Sequence, residues 1–257
     1  MARNNSGAVD LIEEILDIEV ESASGLMAVL RKRPADGIHR GIVMFHDGPG
    51  IRGATHEFAA KLASTGFDVL VPDLYHRHGR MIGYELHERE ADPSLLDNLW
   101  MMLDSLDDQA IQHDLDAALA SIGWDTKRAL ATIGFCVGAR AVVRTMTRLP
   151  RQFVAGAMWH PSYLVDTQLD SPHRIAHKLK GGLFIGIGEE DEMQPVSANE
   201  PFLDAVAGLN DTEIRIFPGA DHGYTWRNWP SYNEAAANSS FNQTVALFNR
   251  HLPDTDT

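Results

Sequence analysis

Cys136, Asp191 and His222 follow one another in the order, and in the local settings, that a nucleophile, acid and histidine take when a triad is built on a doubly wound sheet. Cys136 lies in Gly134-Phe135-Cys136-Val137-Gly138, a G-x-nucleophile-x-G pattern with cysteine in the place more often held by serine. An apolar run (residues 129–133) precedes it and residues 139–146 suit a helix, so the pattern predicts a strand, a very tight turn and a helix. Such a turn strains the backbone of the nucleophile, and a Cβ at Gly134 or Gly138 would crowd the neighbouring strand and helix. It also sets the thiol at a helix N-terminus, where unpaired N–H groups and the helix dipole favour a thiolate. A buried packing cysteine can carry the same five residues, so the weight falls on what comes later in the chain.

A thiol nucleophile needs a base, and the base needs a group to orient it. Asp191 comes just after the apolar run 183–188, and His222 just after the run 213–217. Singly, the one reads as a turn aspartate and the other as one of twelve histidines. Together, nucleophile, acid and histidine in that order at successive strand ends form a triad at the carboxyl edge of a parallel sheet. Glu190 and Glu192 are alternatives to Asp191 in the same loop. An oxyanion would be met by the N–H groups of Val137 and of Gly48, in the glycine-rich loop after the run 40–46.

The elements that must position these groups alternate. Residues 15–21 and 25–33 read as an edge hairpin joined through Ser22, Ala23 and Ser24. Further strands are expected over 40–46, 67–74, 153–158, 183–188 and 213–217, with helices over 56–65, 109–123 and 231–252. Phe241, Val245, Phe248 and Leu252 form the buried edge of the last helix. Residues 76–104 read as an excursion over the sheet. The alternation implies an α/β fold, a mostly parallel doubly wound sheet with helices on both faces. With no repeat, linker or composition break, residues 1–257 read as one domain with a frayed start at 1–10.

Thirty-six acidic against 22 basic residues give a net charge of −14, which leaves no basic stripe for nucleic acid. A lone cysteine forms no internal disulfide. The first ten residues hold no apolar signal core, and no apolar stretch approaches the roughly 20 residues of a membrane helix. A cytoplasmic protein, monomeric or weakly dimeric, is expected. The histidines at 76, 78 and 87 match no metal-ligand spacing.

These residues resemble the dienelactone hydrolase family from about Arg40 onward. The resemblance rests on Val71-Pro72-Asp73-Leu74-Tyr75-His76-Arg77, on the Cys136 pentapeptide, on the Asp191 to Pro195 spacing, on Gly219-Ala220-Asp221-His222-Gly223-Tyr224, and on Leu99-Trp100 leading to residues 114–118. It implies a single-domain α/β hydrolase that needs no cofactor, opening a carboxylate-bearing enol-lactone in the degradation of aromatic compounds. Cys136 is then the nucleophile, His222 the general base and acid, and Asp191 its orienter. Asp47 stands where the family keeps a glutamate that helps generate the thiolate, and Arg77 matches an arginine that holds the substrate carboxylate. Trp226 stands at the family's second carboxylate-binding arginine, with Arg227 one step later, so an apolar wall is expected there. Trp159, Tyr224, His76 and His78 are further candidates to line the pocket. A general small-molecule esterase or thioesterase on the same triad, and a non-catalytic ligand-binding protein, are the other readings.

Overall fold

Strands that are buried on both faces can be apolar at every position, whereas edge strands must alternate. Arg40–Phe45 (β3) and Leu130–Phe135 (β5) are of the first kind and lie mid-sheet, and Leu11–Glu19 (β1), half exposed, lies at an edge. The computed structural model describes residues 9–20 and 25–253. Within them, Leu26–Pro34 (β2), Phe67–Pro72 (β4), Phe153–Trp159 (β6), Gly182–Gly188 (β7) and Thr212–Phe217 (β8) complete an eight-stranded sheet in the order β1-β2-β4-β3-β5-β6-β7-β8. β1 and β2 pair antiparallel from Leu11 opposite Pro34 to Glu19 opposite Leu26, β2 is antiparallel to β4, and β3 to β8 are parallel to one another. The turn expected at residues 22–24 lies outside the described residues.

Alternation along β3 shows how the two layers form. Val43 and Phe45 belong to one core, with Leu115, Val142, Met146 and Phe202. Ile42 and Met44 belong to the other, with Phe58, Leu62, Phe241 and Phe248. Gly53–Ala63 (α1) and Glu234–His251 (α8) therefore cover one face, and Asp108–Ser121 (α4), Gly138–Arg148 (α5) and Val196–Val206 (α7) the other. α8 begins at Glu234, three residues after the expected start, because the Asn233 side chain accepts the Ala236 N–H and caps it. α7 was not legible: Pro201 sits inside it, which breaks the usual helix signature.

The excursion holds two helices, Leu86–Ala91 (α2) and Ser94–Asp104 (α3). A small cluster of Tyr75, Leu99 and Met102 fastens it over the carboxyl ends of the strands. Asp73 anchors its start by accepting the N–H groups of Tyr75 and Met81. From β3 the chain crosses to β4 on one side, and β5 returns on the other. The resulting crevice between the ends of β3 and β5 is the topological switch point where open α/β sheets bind ligands.

Candidate active site

Cys136 leaves β5 with φ +51°, a left-handed conformation that non-glycine residues seldom adopt. The flanking glycines make the turn possible. A Cβ on Gly134 would come within 2.3 Å of the Gly138 carbonyl oxygen, and one on Gly138 within 2.5 Å of the Phe45 carbonyl oxygen. The Cys136 N–H donates to the Trp159 carbonyl at 3.2 Å, and its carbonyl accepts the Ser162 N–H at 2.9 Å. In the loop after β6, His160 (φ +39°) and Tyr163 (φ +60°) are also left-handed. Strain of about 1–3 kcal/mol per residue is thus concentrated around the thiol.

The ends of β7 and β8 bring the other two groups in. His222 Nδ1 lies 2.7 Å from Asp191 Oδ2. Asp191 is buried, and its other oxygen accepts the Gln194 N–H at 2.7 Å. Glu190 and Glu192 are exposed, so Asp191 is the carboxylate that holds the ring. With Nδ1–H directed at Asp191, Nε2 is left for the thiol. Burial pushes the His222 pKa down, but the Cys136 charge and the Asp191 hydrogen bond outweigh it and raise it to about 10. Burial pushes the Cys136 thiol up, and His222, with Ser162 Oγ at 3.3 Å, more than offsets it, holding the pKa below the ordinary 9.0. Both shifts favour a thiolate beside an imidazolium. Iodoacetamide alkylation of Cys136 should therefore continue well below pH 9. In His222→Ala the alkylation midpoint should move upward, and an unmoved midpoint would contradict the ion pair.

Among the described residues, the N–H groups of Val137 and Gly48 donate to no protein acceptor. They stand at the N-terminus of α5 and in the loop after β3, as an oxyanion hole requires. The Tyr75 hydroxyl donates to the Gly48 carbonyl at 2.7 Å and fixes that loop.

The remaining expected residues are placed differently. Asp47 lines the cleft that holds Cys136, but both its oxygens accept from Arg52, at 2.6 and 3.0 Å, in a buried pair. Its charge opposes thiolate formation. Arg77 is not among the residues that line the cleft, and it forks onto Asp114 at 2.6 and 2.9 Å, where His76 also binds at 3.0 Å. His78 meets Ser105. Tyr224 is fully buried with its hydroxyl on Ser240, and Trp159 is fully buried with its indole N–H on Thr244. Trp226 is buried against the Arg52 guanidinium, 4.9 Å from the ring centroid, and Arg227 is exposed. These aromatic side chains are core, and none of them lines the cleft that holds Cys136.

That cleft, about 280 Å³, is walled instead by Leu96, Leu99, Trp100 and Leu103 of α3, with Tyr163, Met193 and Trp229. His160 and Ser162 lie beside the thiol, and Arg89 of α2 is the arginine in the wall. His160 is buried, and burial next to His222 holds its pKa well below the ordinary 6.5, so it is a neutral neighbour. The sequence signal for α3 was its Leu99-Trp100 segment. For Arg89 and Trp229 there was none.

A nucleophile elbow at the switch point of an eight-stranded, mostly parallel sheet defines an α/β hydrolase. The model of the dienelactone hydrolase family matches residues 27–252. The chain belongs to that family, and it is a hydrolase. It is 28% identical over 219 residues to the carboxymethylenebutenolidase of Rhodococcus opacus, covering 82% of this chain and 81% of that one. The crystal structure of a Klebsiella pneumoniae protein assigned to the dienelactone hydrolases superposes with a TM-score of 0.77 at 25% identity, over 94% of this chain and all of that one. A dienelactone hydrolase from Anabaena variabilis, 17% identical, shares the fold with a TM-score of 0.64, over 95% of this chain and 99% of that one. No helix among the described residues is long and apolar enough to cross a membrane.

Proposed function

We propose that the chain opens a small, carboxylate-bearing enol-lactone of the dienelactone type, through a thioester on Cys136. The Cys136 sulfur adds to the lactone carbonyl carbon, and the developing oxyanion accepts the N–H groups of Val137 and Gly48. The ring C–O bond breaks and the enol oxygen leaves, taking the proton held by His222. His222 then removes a proton from water, whose oxygen adds to the thioester carbonyl. The C–S bond breaks, releasing the acid and restoring the thiolate. An enolate leaves more readily than a thiolate, so the first step runs forward. From an amide or an unactivated ester the sulfur would be expelled instead.

The observation that carries this reading is the Asp191–His222 bond of 2.7 Å aimed at a thiol held below its ordinary pKa. The likeness to the carboxymethylenebutenolidase of Rhodococcus opacus supports the choice of substrate. Exposed Leu96, Trp100 and Met193 around the cleft favour a second reading, a general esterase on the same triad. Ring opening of cis- and trans-dienelactone, followed by ultraviolet absorbance beside hydrolysis of an aryl acetate, separates the two. Lactone turnover exceeding aryl acetate turnover in kcat/KM is the expected result. Aryl acetate activity alone would make the protein a general esterase.

A further inference from the structure

The triad chemistry leaves one cation of the cleft unused. Arg89, on α2, is half-buried in the cleft wall. Its Nε is enclosed and has no hydrogen-bond partner, and among the described residues no carboxylate forms an ion pair with it. Its neighbours at this end of the sheet are engaged: Arg52 on Asp47, Arg77 on Asp114, and Arg140 on Asp108 and Asp166. A buried guanidinium N–H without an acceptor costs free energy, and a ligand oxygen would remove that cost.

The side chain is also held in place. The Arg89 guanidinium carbon lies 4.9 Å from the Trp229 ring centroid, and that of Arg52 lies 5.5 Å from the same ring and 4.9 Å from Trp226. Contacts therefore run in series, Trp226 to Arg52 to Trp229 to Arg89, from the core to the cleft. The series begins on a neutralised pair, because Arg52 is matched by Asp47, and ends on a guanidinium without a directly bound counter-ion. Asp47, Glu85 at the N-cap of α2 and Glu90 within it act on Arg89 from a distance, but Asp47 is bound to Arg52 and Glu85 is drawn toward Arg52 Nε and the Ala54 N–H. Burial and the Arg52 cation pull the Arg89 pKa below the ordinary arginine value, the behaviour of a cation short of counter-charge.

We propose that Arg89, stacked on Trp229, is the specificity-determining anion receptor of the cleft. It takes the carboxylate of a substrate whose apolar body lies against Leu99, Trp100 and Leu103 while its carbonyl reaches Cys136. The planar guanidinium fork suits a carboxylate. This deepens the reading under Proposed function, on which it rests, and moves anion recognition from Arg77 to Arg89.

The test compares kcat/KM for cis-dienelactone and for its uncharged methyl ester in the wild type, Arg89→Gln and Arg89→Lys. The wild type should prefer the free carboxylate. Arg89→Gln should cut that preference by about tenfold to a hundredfold, mainly through KM, and Arg89→Lys should keep part of it, having the charge without the fork. A preference undiminished in Arg89→Gln, or absent from the wild type, would overturn the assignment. Turnover of neither compound would instead count against the lactone reading. Calorimetric titration of Cys136→Ala with benzoate and with benzamide then decides the anion site. Tighter benzoate binding that disappears when Arg89→Gln is added supports it, and equal binding of the two probes refutes it.

Discussion

Replacing Cys136 by alanine is expected to lower kcat on an activated ester by about 10⁴- to 10⁶-fold, with the fold intact. Alanine meets the same left-handed backbone that cysteine already occupies at φ +51°, so the substitution adds no new strain. It removes the nucleophile and leaves the Asp191–His222 pair and the oxyanion hole in place. What remains should be the catalysis those groups give to a water molecule. Ser162, whose hydroxyl lies 3.3 Å from the sulfur, is the neighbouring group that could attack in its stead. It stands in the loop after β6, without the helix N-terminus that faces Cys136, so it should not rescue activity. Steady-state hydrolysis of an aryl acetate, with circular dichroism to verify folding, gives the answer. Activity within about tenfold of the wild type would place the nucleophile elsewhere.

Arg52→Met should destabilise the fold by about 3–5 kcal/mol, read as a lowered urea midpoint with an unchanged slope. Arg52 and Asp47 side chains are 1% and 3% exposed, so the carboxylate left behind has no water to replace the lost guanidinium. Arg52 also donates to the Gly50 carbonyl at 3.2 Å and lies against both Trp226 and Trp229, and these contacts go with it. The effect reaches the nucleophile as well. Asp47 already acts to raise the Cys136 pKa, and without Arg52 to neutralise it the alkylation midpoint should rise. Asp47→Leu should be costly for the same reason, whereas Arg52→Met with Asp47→Leu should recover much of the loss, because no charge is then buried alone. Strict additivity of the two substitutions would show that the pair is not coupled.

The convergence of Cys136, Asp191 and His222 was legible because each of them depends on a local pattern. Cys136 is marked by two glycines that a tight turn demands, and Asp191 and His222 by the apolar strands that end just before them. The alternation of continuous apolar strands such as β3, β5 and β7 with helical stretches likewise implied a parallel sheet covered on both faces. The walls of the cleft were not legible for the same reason in reverse. Tyr224 and Trp226 adjoin His222 in the chain and were expected beside it in space. Tyr224 instead reaches Ser240, 16 residues on, and Trp226 packs on Arg52.

Composition, strand patterning and turn chemistry thus determined by themselves the α/β class, the tight turn at Cys136 and the strand-end places of Asp191 and His222, since these follow from backbone sterics and from burial that any neighbour can satisfy. Only the tertiary structure decided which charges pair. Arg77 with Asp114, 37 residues apart, and Arg52 with Asp47 are matched because a buried ion must find a counter-ion at hydrogen-bonding distance, and that partner is chosen by how helices settle on the sheet. Arg89 came to the cleft wall by the same route: α2 and α3 had to pack over the strand ends before its place beside Trp229 existed.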